Sequence, residues 1–202
     1  MYKALSLVYN KDSYLMKKGY SNSVRKKLPL DSEGNAIPWM NYNVVDFLKD
    51  RLNTEMDIFE YGCGYSTLFF QKHVKSVTSV ESESKWHEKM SSIAQSNVKI
   101  ILCPVSDEND DYAESIKGTQ NSYDVILVDG RKRIKSIKNA VEKLKPGGVI
   151  VLDDSHRPKY SEGINFLLSC GFKKNDFSGM KPASVYSHQA TVFYKSENCF
   201  NI

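Results

Sequence analysis

No apolar stretch in the 202-residue sequence approaches the ~18 residues a membrane-spanning helix needs, so no membrane span is expected. Cysteine is scarce and scattered. Cys63, Cys103, Cys170 and Cys199 form neither a C-x-x-C pair nor a disulfide ladder, which points to reduced thiols and a cytoplasmic setting. The apolar run within residues 1–9 is too short for a secretory leader. A strong charge of one sign is also missing: 28 basic against 24 acidic residues leave +4. That balance permits an anionic substrate and gives no reason to expect nucleic acid. Oligomeric state is not legible. What remains is an ordinary folded chain, 41% hydrophobic and 26% charged, long enough for one full core.

The informative stretch is Ile58-Phe59-Glu60-Tyr61-Gly62-Cys63-Gly64-Tyr65-Ser66-Thr67, followed by Leu68-Phe69-Phe70. It reads as a buried strand, a tight turn and a helix start. Gly62 and Gly64 let a ligand approach the backbone, and the helix start offers free N–H groups. A dinucleotide fingerprint wants a third glycine where Thr67 stands. Glu60 would repel a pyrophosphate but suits an ammonium group. Glu81 ends the next apolar strand, 21 residues on, placed to accept hydrogen bonds from ribose hydroxyls.

Around this turn the chain alternates. Residues 1–37 lack a sustained period, carry Arg25-Lys26-Lys27 and read as an N-terminal arm. Pro38 opens an expected helix running to Leu52; Trp39 and Tyr42 belong either to its core face or to a substrate surface. Helices are expected near 66–73, 85–96, 111–117, 132–145 and 160–169. Strands are expected near 76–81, 98–102, 123–129, 149–154, 172–177 and 190–195. Their apolar, unalternating runs imply a mostly parallel α/β sheet covered on both faces, seven-stranded and Rossmann-like, with an antiparallel strand at one edge. Residues 38–202 make up that domain. Right-handed crossovers gather Glu60, Glu81, Asp129, Asp153 and Asp154 on one rim.

The acid-x-Gly-x-Gly turn from Glu60 to Gly64 resembles the first motif of class I S-adenosylmethionine-dependent methyltransferases. So do the 123–130 run Tyr-Asp-Val-Ile-Leu-Val-Asp-Gly and the 144–154 run Leu-Lys-Pro-Gly-Gly-Val-Ile-Val-Leu-Asp-Asp. Pro38-Trp39, Asp129-Gly130 with Arg133, Asp176-Phe177-Ser178-Gly179 and Thr191-Val192-Phe193-Tyr194 resemble a group of small bacterial methyltransferase-like proteins of undefined substrate. The resemblance implies that Glu60, Gly62, Cys63, Gly64, Ser66 and Thr67 hold the methionine end of S-adenosylmethionine and Glu81 the ribose. Ser106 or Asp107 would meet the adenine, and Asp129 would lie near the methyl group.

Asp129-Gly130-Arg131-Lys132 is not the Asn/Asp-Pro-Pro-aromatic motif of nitrogen methylases, so a hydroxyl of a small molecule or glycan is the expected acceptor. The same residues resemble the metal-dependent catechol-type O-methyltransferases. That likeness implies Asp129, Asp153 and Asp154 as Mg²⁺ ligands and Lys132 as base. His156 is a metal-free alternative base, with Arg157 binding a substrate anion. The competing classes are a nucleotide-dependent oxidoreductase and a non-catalytic module that keeps the fold.

Overall fold

The computed structural model describes Ser6 and residues 10–202; part of the expected arm, residues 1–5 and 7–9, lies outside them. Two short helices, α1 (Tyr14–Lys17) and α2 (Tyr20–Lys26), precede α3 (Tyr42–Arg51). The α3 helix begins four residues later than Pro38 suggests. Asn41 caps it, its side chain accepting from the Val44 N–H at 3.1 Å, and the same side chain donates to Phe177 O at 2.9 Å. Trp39 therefore precedes the helix and is 44% exposed.

The strands are β1 (Asp57–Tyr61), β2 (Ser76–Glu81), β3 (Val98–Leu102), β4 (Tyr123–Val128), β5 (Leu144–Asp153), β6 (Lys173–Met180) and β7 (Ser187–Tyr194). Between them lie α4 (Tyr65–Phe70), α5 (Ser84–Ile93), α6 (Asp111–Glu114), α7 (Arg133–Glu142), a tight turn at Pro158–Tyr160 and α8 (Ser161–Ser169). One sheet runs in the order β3-β2-β1-β4-β5-β7-β6. The first five strands in that order are parallel. The antiparallel member is β7, seated between β5 and the outermost β6. β5 begins earlier than 149, because Leu144 pairs with Tyr123 before a register shift returns Val125 to Val149.

Both faces of the sheet are covered, and strand periodicity shows it. Ile58, Val125, Leu127, Val149 and Val151 point into one core with α3 and α4. Phe59, Tyr61, Ile126, Val128, Ile150 and Leu152 point into the other, with Tyr112, Ile137 and Leu167 from the opposite helices. Successive residues enter opposite cores, so the strands read as continuous apolar runs. Each such side chain, fully buried, contributes roughly 1.5–3 kcal/mol. No helix among the described residues is long and apolar enough to cross a membrane. All parallel strands end on one rim, and the candidate site is there.

Candidate active site on the carboxyl rim

The glycine turn is packed against the end of β4. Gly62 has φ +91°, and a Cβ there would stand 2.9 Å from Gly130 Cα. At Gly130 a Cβ would stand 2.0 Å from the Tyr112 hydroxyl. Only two bare backbones can cross this closely. The crossing opens a cleft of about 860 Å³ lined by Gly62, Cys63, Glu81, Tyr112, Asp129 and the start of α7. Trp86, which sequence reasoning placed only in a helix face, clamps the turn by donating from Nε1 to Cys63 O at 2.9 Å.

Glu60 does not line this cleft. It is fully buried and accepts hydrogen bonds from the hydroxyls of Ser66, Thr67 and Ser79, and the Thr67 hydroxyl in turn accepts from Gly64 N–H at 2.9 Å. Glu60, Ser66 and Thr67 thus form an internal clamp that shapes the turn, which corrects their expected direct contact with a cofactor. Burial pushes the Glu60 carboxyl up to about 7 against the pull of those three hydroxyls. Burial, with Glu60 and Glu81 nearby, also pushes the Cys63 thiol up. It stays protonated and offers its backbone rather than a nucleophile.

Glu81 lines the cleft. Its Oε1 accepts from Ser82 N–H at 2.7 Å and Glu83 N–H at 2.9 Å, and its Oε2 accepts from the Cys63 thiol at 3.6 Å. Ser106 and Asp107 line no described cavity, and the Ser106 hydroxyl accepts from Glu108 N–H instead. Tyr112 does line the first cleft.

The acids on β4 and β5 do converge, as neighbouring parallel strands require. Arg133 staples them. It donates to Asp129 Oδ1 at 2.8 Å, Asp129 O at 2.6 Å, Gly130 O at 3.1 Å and Asp153 O at 2.5 Å. Burial, then the Asp129 and Asp154 charges, raise Asp153 well above its ordinary value, and its buried Oδ1 has no hydrogen-bond partner among the described residues. Asp129 is raised by burial and Asp154, with Arg133 pulling it back. For Asp154, burial is outweighed by Lys181, His188 and Arg157, which hold it low.

This donor set does not fit Mg²⁺. Asp129 and Asp154 are already matched to cations, Arg157 standing 2.5 Å and Lys181 3.7 Å from Asp154, and Asp153 keeps its proton. Among the described residues, the donor atoms that gather within 4.8 Å of one another belong to Asp154, His156 and His188. There too the carboxylate is already paired with two cations.

Both expected bases already have partners. The Lys132 ammonium is turned to Asn109 O and to Asp110, 3.1 Å away. His156 is exposed and its Nδ1 accepts from Gln189 N–H at 3.3 Å. His188, which no motif marked, faces a cavity on the same rim. A second cavity, about 500 Å³, is lined by His188, Asp154, Lys181, Tyr186 and Trp39. It shares one lining residue with the first cleft, Asp129.

Comparison with known proteins agrees with this geometry. Residues 59–155 match a family model described as a methyltransferase domain. No curated protein is a significant sequence match. Precorrin 8w decarboxylase from Methanobacterium thermoautotrophicum superposes with TM-score 0.60 at 16% identity, over 84% of this chain and 97% of that one. A candidate O-methyltransferase from Klebsiella pneumoniae gives 0.58 at 14% identity, over 96% and 94%. A candidate methyltransferase from Streptococcus mutans in complex with SAH gives 0.53 at 14% identity, over 74% and 94%. At such identities these structures share the fold alone. The family match runs from within β1 to the loop after β5, so the glycine turn and the ends of β4 and β5 lie in a stretch similar to a methyltransferase domain, on a Rossmann-like methyltransferase fold.

Proposed function

We propose that the protein transfers a methyl group from S-adenosylmethionine to a hydroxyl of a small molecule, with cofactor and acceptor in separate cavities that meet at Asp129. That meeting point carries the reading. The bare Gly62 and Gly130 backbones form a cradle that any Cβ would fill, and Glu81 lines the same cleft, as a nucleoside with a ribose diol requires. When bound, S-adenosylmethionine supplies an electrophilic methyl group on a sulfonium. The chain's own residues do the rest. Glu81 orients the ribose, and the turn backbone receives the methionine end. Asp129, steadied by Arg133, separates that end from the acceptor cavity. Holding both reactants at one junction supplies most of the rate through proximity and orientation.

Calorimetry with S-adenosylmethionine and with NAD tests this. Binding of the first and not the second is expected. Glu81→Ala should weaken it by ~1.5–3 kcal/mol, the usual value of hydrogen bonds to a charged group. Equal affinity in that variant, or tighter NAD binding, overturns the reading.

A further inference from the structure

Resting on the methyl-transfer reading, we propose that the second cavity is the acceptor site, that His188 is its proton acceptor, and that it takes a flat ring bearing a phenol-type hydroxyl. His188 Nδ1 lies 3.2 Å from Asp154 Oδ1. Asp154 accepts a hydrogen bond from Nδ1–H, so the lone pair sits on Nε2. That nitrogen stands 3.1 Å from the Ser184 hydroxyl, which is itself held by the Tyr186 N–H at 3.2 Å. A hydroxyl is thus already presented to Nε2, and an incoming acceptor hydroxyl takes the same hydrogen bond. Asp154 and Ala183 both have left-handed backbone, φ 53° and 59°. Strain of this kind at non-glycine residues collects where a site fixes its side chains.

The groups facing His188 are Asp154 at the end of β5, His156 and Arg157 on the loop after it, and Lys181 on the β6–β7 loop. Burial and Lys181, against the pull of Asp154 and with His156 adding to them, lower the imidazole below its ordinary value, which favours its neutral form. Such a base is closer to a phenol, near ~10 for tyrosine, than to an alcohol, whose acidity lies nearer water at ~15.7. Lys181 is 18% exposed, its nearest carboxylate oxygen is 3.7 Å away, and it makes no hydrogen bond among the described residues. It is free to receive charge developing on the acceptor oxygen. Trp39 and Tyr186 supply exposed rings for stacking, and Trp39 is tethered to the loop through Nε1 and Pro182 O at 2.9 Å. In the transfer, the hydroxyl proton passes to His188 Nε2 and the oxygen bonds to the methyl carbon. The carbon–sulfur bond breaks with its electron pair left on sulfur, and the imidazolium later releases its proton to water. Asp154 is a positioning residue.

The probe is 4-nitrophenol, whose phenolate absorbs visibly, titrated into protein saturated with S-adenosylhomocysteine. Phenolate should appear on binding. His188→Gln should weaken binding about ten-fold, the loss of one hydrogen bond to a charged group, and abolish the phenolate band. Lys181→Met, which leaves the imidazole in place, should shrink the band on its own. With S-adenosylmethionine, the acid limb of kcat/KM should lie below the ordinary histidine range and shift upward in Lys181→Met. Asp154→Asn should change that profile without changing S-adenosylhomocysteine affinity. If S-adenosylhomocysteine binds but 4-nitrophenol does not, or binds His188→Gln equally, the assignment fails while methyl transfer stands. Preference for methyl β-glucoside over the phenol overturns the acceptor class. Failure to bind S-adenosylhomocysteine sinks both.

Discussion

The two cavities that meet at Asp129 are built by different means. The cofactor cleft is made of backbone: the turn at Gly62, the N–H groups that hold Glu81, and the bare carbons of Gly62 and Gly130. Its floor comes from short stretches at the ends of β1, β2 and β4, and side chains of Tyr112, the start of α7, Arg157, Lys159 and Tyr160 complete its walls. The acceptor cavity is made of side chains drawn from positions 39, 129, 153–154 and 181–188, and its charges balance one another across those distances. A backbone site is broken by adding atoms or removing the clamp beneath it. A side-chain site is broken by unbalancing a charge.

Arg133 is where the comparison breaks most completely, because it serves both cavities. It is 10% exposed at the side chain and holds Asp129, Gly130 and Asp153 together. Arg133→Met strands the Asp129 charge beside two other carboxyls and should cost about 3–5 kcal/mol, the usual penalty for unpairing a buried ion. Urea unfolding measures it. A loss below about 1 kcal/mol would mean that the rim does not depend on this staple.

The next effect separates the two sides by pH. The Glu60 carboxyl is raised from 4.5 to about 7. A carboxyl raised in this way binds its proton more tightly when folded. Its favourable contribution is complete below the unfolded value and is lost as pH climbs through about 7. At full extent the loss is roughly 3 kcal/mol. Asp153, also raised, acts in the same direction. Asp57, Asp154 and Asp176 are lowered, so their contributions fail only under more acid conditions. Unfolding free energy should therefore fall between about pH 4.5 and 7, and Glu60→Gln should flatten that slope. An unchanged slope in the variant would assign it elsewhere.

The smallest effect sharpens the comparison on the acceptor side alone. Trp39→Phe removes the indole donor to Pro182 O while keeping an aromatic ring. It should cost about 1 kcal/mol and leave cofactor affinity, read by calorimetry, unchanged. A parallel loss of cofactor affinity would show that the two cavities are coupled through more than Asp129.

Much of this was legible in the chain itself, for local reasons. The central strands announce themselves because buried parallel strands carry apolar residues toward both faces, as Phe59 and Ile58 do. Glu81 was legible because its spacing from the turn is set by one helix and one strand. Helix ends were less so: α3 starts at the Asn41 cap rather than at Pro38, since Asn41 is tied to Phe177 from β6. Glu60 illustrates the limit. Its position in a motif says which strand end it occupies, but the hydroxyls of Ser66, Thr67 and Ser79 turn it inward.

The sequence by itself determined the alternation of strands and helices, the rim on which the strand ends collect, and the backbone cradle at Gly62. These follow from periodicity and from residues near one another in the chain. Only the tertiary structure decided the acceptor side. Asp153 pairs with Ala190 across β5 and β7, and that register brings His188 to Asp154, 34 positions away. Asp110, 22 positions away, ties down the Lys132 ammonium at the cleft wall. Side-chain direction at such junctions depends on which distant charge arrives as a partner, and local spacing carries no record of that.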